Sequence, residues 1–168
     1  MNCAQAFSSL VAKRVLVFAL LGTYLFISIS EGASAGEFSV GTIQISKVWS
    51  RATPKGARVG AGYLTIHNLG SKPDRLISVQ SQIAERVEMH SMSITNGIMR
   101  MRPISNGIAL RPDESVALRP GADHLMFIGL RGGIAEGDRF SAVLVFENAG
   151  RVRIVFQAGA IGSAGPPK

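Results

Sequence analysis

The sequence predicts an all-β domain, an antiparallel sandwich or barrel with Greek-key connections. Three observations predict it. Beyond residue 36, apolar and polar residues alternate with a period of two, the repeat of a strand with one buried face. Clusters of Gly, Asn, Asp and Pro break that alternation at short intervals. Glycine is frequent (19 residues) and aromatics are few (7%), which suits many short strands joined by turns, and no segment carries a capped helical stripe.

In chain order, strands are expected near 40–49 (VGTIQISKVW), 61–67 (AGYLTIH), 75–82, 86–92 (RVEMHSM), 98–103 (IMRMRP), 108–111, 115–119, 124–130 (HLMFIGL), 139–147 (RFSAVLVFE) and 151–157 (RVRIVFQ). The separators include TPKGA, NLGSKPD, TNG, SNG, RPGAD and NAG, whose residues supply the positive or fixed φ of tight turns. Val143 and Val145, then Val152, Ile154 and Phe156, flank Asn148-Ala149-Gly150 as the arms of a hairpin do. Trp49 and Tyr63 are assigned to packing. His67 closes a strand without a neighbouring donor and reads as an ordinary polar residue.

The N-terminus reads as an export signal. Residues 1–14 end in Lys13 and Arg14, an uncharged apolar run follows over 15–30, and Ala33-Ser34-Ala35 offers small residues to a signal peptidase. The apolar run is shorter than the ~20 residues of a spanning helix, so cleavage after Ala35 is expected, with no stable membrane insertion afterwards. Cys3 lies before the apolar run, where a lipid-anchoring cysteine does not sit. The expected organisation is a signal over 1–35, one domain over 36–158 and a flexible tail over 159–168.

Loss of 1–35 removes Lys13, Arg14 and Glu31 and takes the charge from +7 to +6. It also removes the one cysteine, leaving no disulfide, thiolate nucleophile or thiolate ligand. The basic residues are scattered singly, so no nucleic-acid stripe is present. There is no His–carboxylate pair at useful spacing and no Gly-rich phosphate loop, so the chain does not read as an enzyme.

One cluster stands out. Apart from the initiator, the methionines (Met89, Met92, Met99, Met101, Met126) all lie between 89 and 126, with His90 and His124 among them. On a strand, residues i and i+2 share a face. His90 therefore shares a face with Met92, His124 with Met126, and Met99 with Met101. Met89 alternates away and is expected in the core; Met99 is expected to pack, with an auxiliary thioether role as its alternative. Thioethers are soft and uncharged and suit Cu(I), whereas zinc, calcium and magnesium want other donors. A blue-copper centre needs the thiolate that is missing. Two readings stand on this pattern alone: a site that holds and releases Cu(I), or methionines filling a core.

At these residues the chain resembles the periplasmic copper chaperones of the PCuAC type. Their pattern is a His, a nearby Met, a Met about ten residues on, and a distant His-x-Met. Here it reads His90, Met92, Met101, His124 and Met126; ten residues separate His90 from Met101, and 22 separate Met101 from His124, one more than is usual in the family. The stretches VWSRATPKGARVGAGYLTIHN, LRPGADHLMFIGL and GDRFSAVLVFENAG also look like the family, and the likeness covers nearly all of 44–157. The resemblance implies a cupredoxin-like β-sandwich in the periplasm. It implies one Cu(I) per chain on His90, Met101, His124 and Met126, with Met92 as alternative ligand or shield. It further implies delivery to a copper-acceptor protein, a cytochrome c oxidase subunit under assembly, with a Sco-type thiol protein as a further partner. A copper-buffering or resistance protein is the second expectation, and a β-sandwich interaction module without metal the third.

Overall fold

Alternating sequence becomes strand wherever one side can be buried, and here nearly every alternating segment does. The computed structural model describes residues 36–167. It contains β1 (Phe38–Val40), β2 (Ile43–Arg51), β3 (Val59–Asn68), β4 (Asp74–Ser81), β5 (Arg86–Thr95) and β6 (Ile98–Pro103). These are followed by β7 (Ile108–Leu110), β8 (Ser115–Leu118), β9 (His124–Ile128), β10 (Arg139–Phe146) and β11 (Arg151–Gly159). No helix occurs among the described residues, and none there could cross a membrane. The expected export signal lies outside the described residues. The strand expected over 40–49 is split, because Gly41 at φ 55° and Thr42 form a tight turn that folds β1 back onto β2.

The strands hydrogen-bond in the order β6-β5-β9-β3-β2-β11-β10-β4-β7, with β1 on β2 and β8 on β3. Every ladder is antiparallel except one: β11 runs parallel to β2, pairing Gln157 with Trp49 and Gly159 with Arg51. The expected antiparallel, all-strand architecture holds in every other ladder, and this one parallel contact makes the sheet mixed. Periodicity reports which residues face inward and carries no information on strand direction.

Inward-facing residues from both halves of the sheet meet in one core that includes Ile43, Ile45, Leu64, Ile66, Leu76, Leu125, Leu144 and Ile154. At its centre Phe127 meets Phe140 and Phe156 edge-on at centroid distances of 5.3 and 5.5 Å, and Phe140 stacks on Phe156 at 5.2 Å. Gly62 is required there by space: a Cβ on it would stand 2.7 Å from Phe127 and 2.9 Å from Phe156.

Asp74 ties the β10–β11 turn to the start of β4. Its Oδ1 accepts from the backbone N–H groups of Arg75 (2.7 Å) and Asn148 (3.0 Å), and its Oδ2 from that of Ala149 (2.9 Å). Asp74→Ala leaves three N–H groups without that acceptor and is expected to lower unfolding free energy by about 2–4 kcal/mol. Urea denaturation should show a lower midpoint at unchanged slope. Beyond β11 the backbone turns at Ala160–Ser163, where Arg51 Nε donates to the Ser163 carbonyl at 2.7 Å.

Candidate metal centre

The centre is built on three adjacent strands, β6, β5 and β9. Asn96 (φ 52°) and Gly97 (φ 75°) both take positive φ, as the two-residue turn of a tight hairpin demands, and this fixes Thr95 opposite Ile98. The same register sets Met92 opposite Met101 and His90 opposite Pro103. On the other side of β5, His90 lies opposite His124, and Glu88 opposite Met126. Directly opposed residues have Cβ atoms about 4.5–5.5 Å apart, and diagonal neighbours about 7–8 Å. His90 is therefore the hub. His124 faces it, Met92 follows it on β5, and Met101 and Met126 lie on its diagonals. All five residues singled out in the sequence share one face, the outer one, although they come from segments 34 residues apart (His90 to His124).

Met89 and Leu125, one step out of phase, point to the core (8% and 0% exposed), as expected for Met89. Met99 differs from its expected packing role. It is 61% exposed and sits near the tip of the hairpin on the same face as Met101. His67 stands apart on β3, 3.6 Å from Asp113.

His124 owes its place to an excursion in the chain. β8 and β9 both lie along one edge of β3. Between the pairs Leu64–Leu118 and Gly62–Leu125, β3 advances two residues while its neighbour advances seven. The surplus loops out over 119–123, turning at Gly121 (φ 80°) and closed by Arg119 N–H donating to the Asp123 carbonyl at 2.8 Å. The loop returns the Ala122 carbonyl to His124, whose Nδ1–H donates to it at 2.9 Å. A carbonyl only accepts, so Nδ1 bears a proton, and in the neutral ring the lone pair lies on Nε2.

His90 has the opposite polarity. Its Nε2–H donates to Glu88 Oε2 at 2.8 Å, while Nδ1 is buried with no hydrogen-bond partner. The two imidazoles lie 5.9 Å apart, centroid to centroid. Glu88 Oε1 accepts from Arg86 Nε at 2.8 Å. The Arg86 hydrogen bond, and after it that of His90, hold the Glu88 carboxyl below its ordinary value. The same row of the sheet continues into an aromatic wall, with Trp49 opposite Tyr63 at a ring distance of 4.6 Å. Burial pushes the Tyr63 phenol above its ordinary pKa, partly offset by Arg51.

An orphaned, buried imidazole lone pair costs free energy unless something binds it. Among the described residues no three His, Cys, Asp or Glu side chains form a metal-holding group. The residues that strand register places beside and diagonal to His90 on this face include the thioethers of Met92, Met101 and Met126, so the set fits a soft, monovalent ion and not zinc or calcium. Exposure is graded: His124 is 4% exposed and Met101 43%. The expectation of no His–carboxylate pair at useful spacing is corrected by Glu88, whose Oε2 lies 2.8 Å from His90 Nε2 and which sequence reasoning missed. Its signal was present, a carboxylate two residues before His90 on the same strand face.

The family model described as "Putative lipoprotein LpqE-like" matches residues 43–158. "Putative lipoprotein Lxx21020" of Leifsonia xyli subsp. xyli is 26% identical over 106 residues, and the chain spans 63% of the length of that relative. Among solved structures, the apo PmoF2 PCuAC domain superposes with a TM-score of 0.65 at 28% identity, covering 77% of this chain and 99% of that one. The copper-bound PCuAC domain from PmoF2 gives 0.63 at 30% identity, covering 74% of this chain and 98% of that one. Apo-DR1885 from Deinococcus radiodurans, at 16% identity and 0.56, covering 76% of this chain and 85% of that one, shares the fold. With an all-strand cupredoxin-like architecture and these matches, the chain belongs to the LpqE-like family and is a PCuAC domain protein.

Proposed function

We propose that this protein is a copper chaperone that carries Cu(I) outside the cytoplasm on His90, Met101, His124 and Met126, with Met92 as alternative ligand or shield. The observation that carries the reading is the buried Nδ1 of His90, which lacks a partner on a face where an oppositely polarised imidazole and three thioethers converge. A copper-bound structure of the PmoF2 PCuAC domain supports it. The export signal read in residues 1–35, a family model described as lipoprotein-like and a relative described as a lipoprotein support export; in a two-membrane cell the proposed place is the periplasm.

The arrangement suits hand-off. The imidazoles sit deep and the β6 thioether is at the rim, on a strand whose other edge pairs with nothing among the described residues. An acceptor's ligands can displace the rim thioethers first and the imidazoles last, so copper need never be free. The proposed acceptor is a cytochrome c oxidase subunit under assembly, with a Sco-type thiol protein as a partner in the exchange. No bond of a substrate is made or broken, and the protein is not an enzyme in this reading.

The mature protein with ascorbate present is expected to bind about one Cu(I) per chain in competition with a Cu(I) chelator. X-ray absorption of the loaded protein should then count two nitrogen neighbours and at least two sulfur neighbours. An oxygen-dominated shell would remove the basis of the proposal. Delivery and buffering part in a deletion strain: loss of oxidase activity at low copper with tolerance intact supports delivery, and the reverse supports buffering.

A further inference from the structure

We propose that Glu88, clamped by Arg86, is the positioning residue that holds His90 with Nε2 protonated and Nδ1 free for copper. The proposal rests on the copper reading above and assigns a role to a residue outside the ligand set. Both Glu88 oxygens are engaged, Oε1 with Arg86 Nε and Oε2 with His90 Nε2, each at 2.8 Å. An ionised carboxylate accepts and does not donate, so the imidazole must present N–H at Nε2. In the neutral ring the lone pair then lies at Nδ1, the buried atom without a partner.

The strand makes this arrangement possible. Glu88 and His90 are two residues apart and share a face, so the carboxylate reaches the far side of the ring from its own strand neighbour. Arg86, another two residues back, takes the second oxygen and prevents Glu88 from swinging into the donor cluster. The Arg86–Glu88 pair is solvent-facing, with the arginine side chain 60% exposed. Such pairs contribute little to stability, so a role in folding does not account for it. A carboxylate on the remote nitrogen of a metal-binding histidine fixes its tautomer and ring orientation, and losing such a partner costs 10- to 100-fold in affinity.

The test uses the mature protein labelled with nitrogen-15. Long-range proton–nitrogen correlation on the apo form should show His90 protonated at Nε2 and His124 at Nδ1. In Glu88→Leu the His90 signal should move to a mixture of tautomers, and chelator competition should show Cu(I) binding about 10- to 100-fold weaker. Glu88→Gln keeps a carbonyl that accepts from Nε2–H and should recover most of the affinity. Wild-type affinity and tautomer in a folded Glu88→Leu protein would overturn the proposal and leave the copper reading standing. If the unaltered protein bound no Cu(I), both would fall. Should Glu88→Leu not fold, the unaltered protein decides alone: a proton on Nδ1 of His90 overturns the assignment.

Discussion

Replacing His90, Met101, His124 and Met126 together by alanine is expected to abolish Cu(I) binding and to leave the far-UV circular dichroism nearly unchanged. Loss of an outer partner of a metal-bound histidine already costs 10- to 100-fold, so loss of a ligand itself is expected to cost about 100-fold or more. Four such losses leave no site that competes with a chelator. The fold should survive because the four side chains stand on the outer face of β5, β6 and β9, one step out of phase with Met89, Leu125 and Phe127. Met101 is 43% exposed and contributes little burial. The two imidazoles are the exceptions, His124 at 4% exposed and the His90 side chain at 12%, so a modest loss of stability is expected from those positions. Collapse of the circular dichroism would mean that the thioethers and imidazoles are packing residues and would end the copper reading.

The converse experiment is Phe127→Ala. Phe127 is fully buried, touches Phe140 and Phe156 edge-on, and adjoins the glycine at 62 that makes room for it. Truncating it leaves a cavity among rings that cannot collapse into the space, at an expected cost of about 3–5 kcal/mol. That is a large share of the 5–15 kcal/mol that holds an ordinary domain together. Guanidinium titration should show the drop, and saturating Cu(I) should restore part of it, because a ligand that binds only the folded form stabilises it. Copper affinity in the folded fraction should change little, although residue 127 directly follows Met126. If affinity falls in step with stability, the two faces of β9 are not independent and the separation of core from site fails.

How much of this was legible in the sequence follows from what alternation encodes. Strand positions and facing are encoded, so β3 through β11 lie where the period of two put them, and Met89 is inward where His90 is outward. The shared face of His90 with Met92, and of His124 with Met126, was legible for the same reason. What brings the two pairs together was not, because pairing between β5 and β9 depends on long-range register. The parallel contact of β2 with β11 was hidden likewise, since direction leaves no trace in periodicity. Met99 read as packing because methionine on a strand is usually buried; the turn at Asn96-Gly97 instead carries it to an exposed tip. Glu88 was overlooked because His–carboxylate pairs were sought as catalytic pairs, and none was read at useful spacing. Its use here is to hold an imidazole, a role that appears only once hydrogen bonds are traced.

The detour over 119–123 and the separate pairings of β7 with β4 and β8 with β3 have a consequence for how such proteins are found. Residues 108–110 and 115–118 are anchored on β4 and β3, so lengthening the bend between them need not move the histidine at 124. What keeps the donors together is lateral strand alignment, and the count of amino acids between Met101 and His124 is free to drift. A pattern search that insists on one fixed interval will pass over chains like this one. A search keyed to two short His-x-Met elements on strands that can lie side by side will retrieve them.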